Sequence, residues 1–277
     1  MLPGIDHDEK EPYILDYIKG TKIPALTRKN ARFFKAVVKL DSSYRNDFDP
    51  KMECSPGFNP LSDEPQTNKY YGSTAYWFAE MEKENSNFER CLMGAIISID
   101  STNTTHLESC VDGRKTMKER ILNECKNVDE LKAKLNKQFF TNKDNHLIAV
   151  LSPAIEAKPN KDGTARTDRH NLSFASKFCA YASKFLETDF EYPKYDGVVA
   201  KNLPKYIEYY VGNSVKKTEY KVSNSKDKQL TEEKKLEYRL DIYYHYFEVI
   251  NKIINSLPTD DKMTKEEFDH IVWYAFK

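Results

Sequence analysis

Apolar residues recur at intervals of three and four along most of this chain, and that spacing commits it to helices. The pattern is clearest over residues 114–140, where Met117, Ile121, Cys125, Val128, Leu131, Leu135 and Phe139 fall on one face of a 3.6-residue repeat. Such a stripe implies a core-facing helix pair, or one long helix bent near Asn127. Residues 27–40 carry a second stripe (Phe33, Phe34, Val37, Val38 and Leu40) with Arg and Lys opposite, and residues 69–83 place Tyr70, Trp77 and Met81 near one face. Residues 232–254 form a long aromatic-rich stripe, and Thr264 with Glu267 has the spacing of a capping box opening a last helix.

The intervening segments are of other kinds. Residues 41–68 and 157–170 are rich in Asp, Ser, Asn, Pro and Gly and read as loops, and the charged stretch 216–235 reads as a mobile one. The short apolar runs 95–99 and 147–151 fit either strands or buried helical turns. No internal repeat is visible. The expected fold class is therefore mainly α, with at most a minor sheet.

Composition narrows function by exclusion. The chain has 277 residues, 39% hydrophobic and 31% charged, enough for a real core. Lysine plus arginine total 43, balanced by 43 acids, which argues against bulk DNA affinity but leaves room for a local basic groove. The five cysteines form no CxxC, so reduced buried thiols are expected rather than disulfides, a zinc site or a metal cluster. The six histidines show no ligand spacing, and Gly-rich phosphate loops and GxSxG are absent, so neither a metal nor a cofactor is expected. The acidic start MLPGIDHDEKEP lacks an apolar signal region, and the longest apolar run, residues 91–99, is about half a membrane span. A cytoplasmic protein without a membrane segment is the expectation.

The chemistry concentrates in residues 170–203, HNLSFASKFCAYASKFLETDFEYPKYDGVVAKNL. Ser173 is placed to cap a helix whose buried stripe is Phe174, Phe178, Tyr181 and Phe185. At 100° per residue Lys177 falls about 60° to one side of that stripe, at the border of core and surface. Partial desolvation and a nearby helix N-terminus both favour a free amine there, the form that Schiff-base chemistry at a sugar C1′ requires. Pro193 forces extended backbone, and Asp196 stands where a helix N-cap should be, an ionised carboxylate able to offset positive charge developing on a deoxyribose ring. Just before this segment, Lys158, Lys161, Arg166, Arg169 and His170 form a locally basic loop suited to phosphate.

A lysine in a short helix, followed 19 positions later by an aspartate opening the next helix, resembles the helix-hairpin-helix DNA glycosylase superfamily, most closely its 8-oxoguanine branch including archaeal-type members. The words SFASKF and YPKYDGVV are similar to those of bacterial proteins described as having the 8-oxoguanine glycosylase fold. The resemblance implies a helical glycosylase-like fold with a cleft between helical subdomains: residues 1–277 as one unit, 1–145 a mostly N-terminal helical part, 146–205 the site-bearing segment and 206–277 the C-terminal helices. It implies that Lys177 is the nucleophile of a combined glycosylase and abasic-site lyase, that Asp196 is its partner carboxylate, and that a monomer binds DNA containing a modified base through Lys158, Lys161, Arg166, Arg169, His170 and Ser173. Two departures stand out. The hairpin's Gly-x-Gly turn is replaced by Asn171, Leu172 and Ser173, and the superfamily's four-cysteine loop is absent, as it is throughout the 8-oxoguanine branch. A non-catalytic helical module that binds nucleic acid or protein is the alternative.

Overall fold

The structure, a computed structural model, describes residues 14–40, 48–62, 70–103, 105–141, 146–168, 170–212, 217–223, 227 and 229–276. Its helices in chain order are α1 (Arg28–Leu40), α2 (Thr74–Met81), α3 (Phe88–Asn103), α4 (Gly113–Glu124), α5 (Val128–Lys134), α6 (Lys137–Thr141), α7 (Leu147–Leu151), α8 (Leu172–Phe185), α9 (Gly197–Tyr210), α10 (Lys217–Tyr220), α11 (Glu232–Ser256) and α12 (Lys265–Phe276). Among the described residues there is no strand, only the isolated bridges joining Tyr17 to Pro24 and Cys110 to Ala157. The protein is thus mainly α.

Local chemistry accounts for the boundaries. The 114–140 stripe divides at residues 125–127, where the Asn127 side chain accepts from the Glu130 N–H and caps α5, so it is a helix pair rather than one bent helix. The runs 95–99 and 147–151 are both helical, within α3 and α7. Thr264 and Glu267 form the reciprocal capping box, each backbone N–H donating to the other's side chain at 2.9 and 3.1 Å. The charged stretch expected to be a loop contains α10 and the first turn of α11, while residues 213–216, 224–226 and 228 lie outside the described residues. Most of 63–69 and 41–47, within the first expected loop, also lie outside them.

Two groups of helices share the core. In the first, α8 packs on α2, α3 and α7, and α4 packs on α3 and α7; in the second, α12 packs on α1, α9 and α11, and α10 packs on α11. Gly94 makes the closest junction in the first group: a Cβ there would stand 2.2 Å from the Trp77 ring, so only glycine lets α3 approach α2 this closely. Of the five cysteines, all free, Cys91, Cys110, Cys125 and Cys179 are buried.

The chain crosses between the groups through residues 186–196, which are extended and have no helical hydrogen bonds of their own. Buried hydroxyls satisfy that backbone instead. Tyr243 and Tyr246 of α11 donate to the carbonyls of Pro193 and Lys194, each at 3.0 Å, and the Tyr195 N–H donates to Ser176 Oγ of α8 at 2.9 Å. Tyr192 Oη donates to Leu135 O at 3.0 Å and lies 2.7 Å from His146 Nε2. His146 Nδ1 accepts from the Ile148 N–H, so the neutral ring carries its proton on Nε2, and burial pushes its pKa down to about 3. Phe140, Phe190, Tyr192 and Phe247 meet edge-on or tilted around this segment. The segment that delivers Asp196 is therefore held from both sides.

Candidate active site

Asp196 is the N-cap of α9. Its backbone is extended (φ −123°, ψ 139°), and Oδ1 accepts from the Val198 N–H at 2.7 Å. That bond fixes one carboxylate oxygen on the helix and turns the other toward α8. There Lys177 Nζ lies 3.7 Å from Asp196 Oδ2. Ser176, one residue before Lys177, takes the N–H of Tyr195, one residue before Asp196, so a backbone contact sets the register of the two side chains.

Lys177 is buried, 7% exposed, rather than at the border of core and surface. The difference comes from α3, whose C-terminal end covers that flank of α8. Nζ donates to Asn103 O, the last residue of α3, at 3.2 Å, and Tyr181 Oη donates to Asn103 Oδ1 at 3.0 Å. A helix C-terminus attracts a cation, which is opposite to the N-terminal influence expected from α8 itself. Burial nonetheless holds the Lys177 pKa below the usual lysine range, and Asp196 opposes that shift without reversing it. The result is an amine with a lowered proton affinity beside a fixed carboxylate.

The residues expected at the phosphate-facing side are more dispersed. Ser173 does not cap α8: the helix begins at Leu172, its N-cap is Asn171, and the Ser173 carbonyl accepts from Ser176 Oγ at 3.1 Å. The N-cap Asn171 is committed elsewhere, its N–H donating to Ser152 O and its Nδ2 to Pro153 O, both at 3.1 Å. The connection to α7 is what demands this, since residues 152–171 must return to the start of α8. Lys158, Lys161 and Arg166 are exposed. Lys158 Nζ donates to Glu108 O at 2.9 Å, which hangs this loop on the same post-α3 turn that follows Asn103. Arg166 folds back on its own loop, with Nε donating to Asn160 Oδ1. Arg169 lies outside the described residues. His170 is buried in its side chain and faces α11, with Nε2 3.2 Å from Glu232 Oε2, close enough to attract but without hydrogen-bond geometry. Burial, then Arg239, lowers its pKa.

Sequence reasoning missed a group of charges supplied by the next elements. Lys194, two residues before Asp196, is buried with its Nζ 4.2 Å from the Tyr181 ring centroid. Asp269 and His270 of α12 are also buried, and Asp269 interacts electrostatically with Lys194, Asp196 and Lys177. Burial pushes the Asp269 pKa up to about 7 and the His270 pKa down to about 3. A signal for them existed: Asp269 and His270 interrupt the apolar face Phe268, Ile271 and Val272 of α12.

Among the described residues no group of three or more His, Cys, Asp and Glu could hold a metal ion, and no helix is long and apolar enough to cross a membrane. No family model, curated protein or solved structure matches the chain.

Proposed function

We propose that this protein is a DNA base-excision enzyme acting on a modified base, with Lys177 and Asp196 as its working pair. The observation that carries the reading is the 3.7 Å approach of Lys177 Nζ to Asp196 Oδ2, a lysine within one helix meeting the N-cap carboxylate of the next. One deoxyribose is small enough to touch both groups. The mainly helical fold is compatible with the glycosylase resemblance, in which α7 and α8 stand for the two helices of a hairpin whose connection is lengthened to residues 152–171.

In this reading a sugar reaching the pair takes the place of Asn103 O beside Nζ. The deprotonated Lys177 amine forms a bond to C1′ as the C1′–N glycosidic bond breaks, and the base departs with the bonding electrons and gains a proton. Asp196, held ionised by the Val198 N–H, offsets the positive charge that builds on the ring. Loss of an amine proton with opening of the ring gives a Schiff base, from which elimination of the 3′ phosphate nicks the strand. Lys158, Lys161, Arg166 and Arg169 supply phosphate contacts. Repair of the host genome and defence against phage carrying modified DNA both use this chemistry.

Base release from duplexes carrying oxidised, alkylated or glucosylated bases tests the reading. Wild type releases at least one of them, and Asp196→Asn does not. A second reading has its own support: Lys177 is buried and bonded to Asn103 O, as in an ion pair that serves structure in a non-catalytic binding module. Under that reading none of the duplexes loses a base, while DNA or protein binding persists.

A further inference from the structure

Beside the working pair lies a cavity of about 300 Å³ whose lining includes Tyr181, Lys184, Tyr192, Lys194, Glu266 and Asp269. Its charges divide into two kinds. Lys184 and Glu266 satisfy each other, with Nζ 2.8 and 2.7 Å from the two carboxylate oxygens. Lys194 and Asp269 are different: they are only 6% and 9% exposed, and Lys194 Nζ and Asp269 Oδ1 have no hydrogen-bond partner among the described residues. Leaving one buried polar atom unmet costs roughly 1–3 kcal/mol, and more when it is charged, so two of opposite sign on one wall are conspicuous.

Their placement is not loose. The Lys194 carbonyl is fixed by Tyr246 Oη, and the Lys194 ammonium rests on the Tyr181 ring, whose own hydroxyl is bonded to Asn103. Asp269 stands on α12, in electrostatic contact with Lys194 on one side and with Lys177 and Asp196 on the other. The wall thus offers only donors at Lys194 and a free acceptor at Asp269. Because Lys184 and Glu266 are already matched, a ligand carrying net charge would leave one of these groups unbalanced.

We propose that this cavity binds an uncharged flat heterocycle by a lactam edge, with Lys194 Nζ donating to its oxo oxygen and Asp269 Oδ1 accepting from the adjacent ring N–H. Tyr181 and Tyr192 supply the aromatic part of the lining. An amino group in place of the oxo oxygen would set its N–H donors against those of Lys194. The proposal rests on the excision reading for its biological sense: the cavity holds the base whose glycosidic bond the Lys177 and Asp196 pair breaks.

The probes are 1-methyluracil, which has the lactam edge, 1,3-dimethyluracil, whose ring N–H is blocked, and 1-methylcytosine, whose exocyclic oxygen is replaced by an amino group on that edge. Titration calorimetry on the full-length protein is expected to show 1-methyluracil binding about tenfold or more tightly than either analogue, the factor that one unmet buried group produces. Lys194→Met and Asp269→Leu should each weaken 1-methyluracil by about the same factor. Equal affinity for the three probes, no binding of 1-methyluracil to wild type, or unchanged affinity in a folded Lys194→Met protein would overturn the proposal. The probe comparison uses wild type alone, so it stands even where a variant fails to fold. Borohydride trapping on an abasic duplex, which offers no base, reports the neighbouring pair separately. A trapped adduct without heterocycle binding overturns the cavity's role and leaves excision standing, whereas selective heterocycle binding without an adduct supports the cavity and removes excision.

Discussion

Lys177 Nζ and Asp196 Oδ2 lie 3.7 Å apart, and each is also held by a helix end: the ammonium by the Asn103 carbonyl closing α3, the carboxylate by the Val198 N–H opening α9. The two are not equally dependent on each other. The Asp196 side chain is 20% exposed and keeps its cap bond without the lysine, whereas the Lys177 side chain is 9% exposed and has no other carboxylate oxygen within ion-pair distance among the described residues.

That asymmetry predicts unequal costs. Lys177→Met should change stability by less than about 1 kcal/mol, because methionine fills the space and no ammonium remains to desolvate. Asp196→Ala should cost roughly 2–3 kcal/mol, combining a lost cap with a buried ammonium left without its counterion. Asp196→Asn keeps a capping oxygen and should fall between them. Urea unfolding of the three proteins measures the order, and equal losses for Lys177→Met and Asp196→Ala would contradict it.

Asp269 predicts the pH dependence. Its folded pKa, raised to about 7 from 3.8, means that the folded protein binds more protons than the unfolded chain between those values. Stability attributable to this group is therefore fully present below the unfolded pKa and is lost as pH rises toward 7. The groups facing it are Lys194, Lys177, Asp196 and Glu266. Asp269→Asn, which cannot ionise, should become more stable relative to wild type between pH 5 and pH 8, by an amount on the order of a few kcal/mol. Melting temperatures of both proteins at the two pH values give the difference; a constant gap would show that Asp269 does not titrate in that window.

Gly94 and Gly197 predict opposite responses to the same change. Gly94→Ala drives a methyl group into the Trp77 ring, 2.2 Å away, and should destabilise by about 1–3 kcal/mol or more. Gly197→Ala, in the first turn of α9 with nothing within 4 Å of the added Cβ, should be neutral or slightly stabilising and leave the Asp196 cap in place. Thermal melts of the pair check the α2 and α3 junction against a control beside the site.

Much of the scaffold was legible because helix periodicity, the Asp196 cap and the capping box of Thr264 and Glu267 are local features. The pairing of Lys177 with Asp196 was legible only through resemblance, since nothing local says that the start of α9 turns back onto α8. What escaped was the covering of Lys177. A helical wheel places a residue relative to its own helix and cannot show that the end of α3, distant in sequence, closes over its flank. The start of α8 was misjudged for a related reason: Ser173 is the better capping residue, but the return from α7 fixes Asn171 at the boundary. Lys194 and Asp269 went unseen because each is unremarkable alone, and only the packing of α12 near the 186–196 segment gives them a common cavity.

The central claim is that Lys177 is an amine nucleophile at a sugar carbon, and borohydride trapping on a duplex with one abasic site tests it most directly. Wild type should form a covalent adduct whose peptide mapping places the DNA on Lys177, and Lys177→Gln, folded by circular dichroism, should form none. An adduct of undiminished yield in Lys177→Gln, or no adduct with wild type, would contradict it.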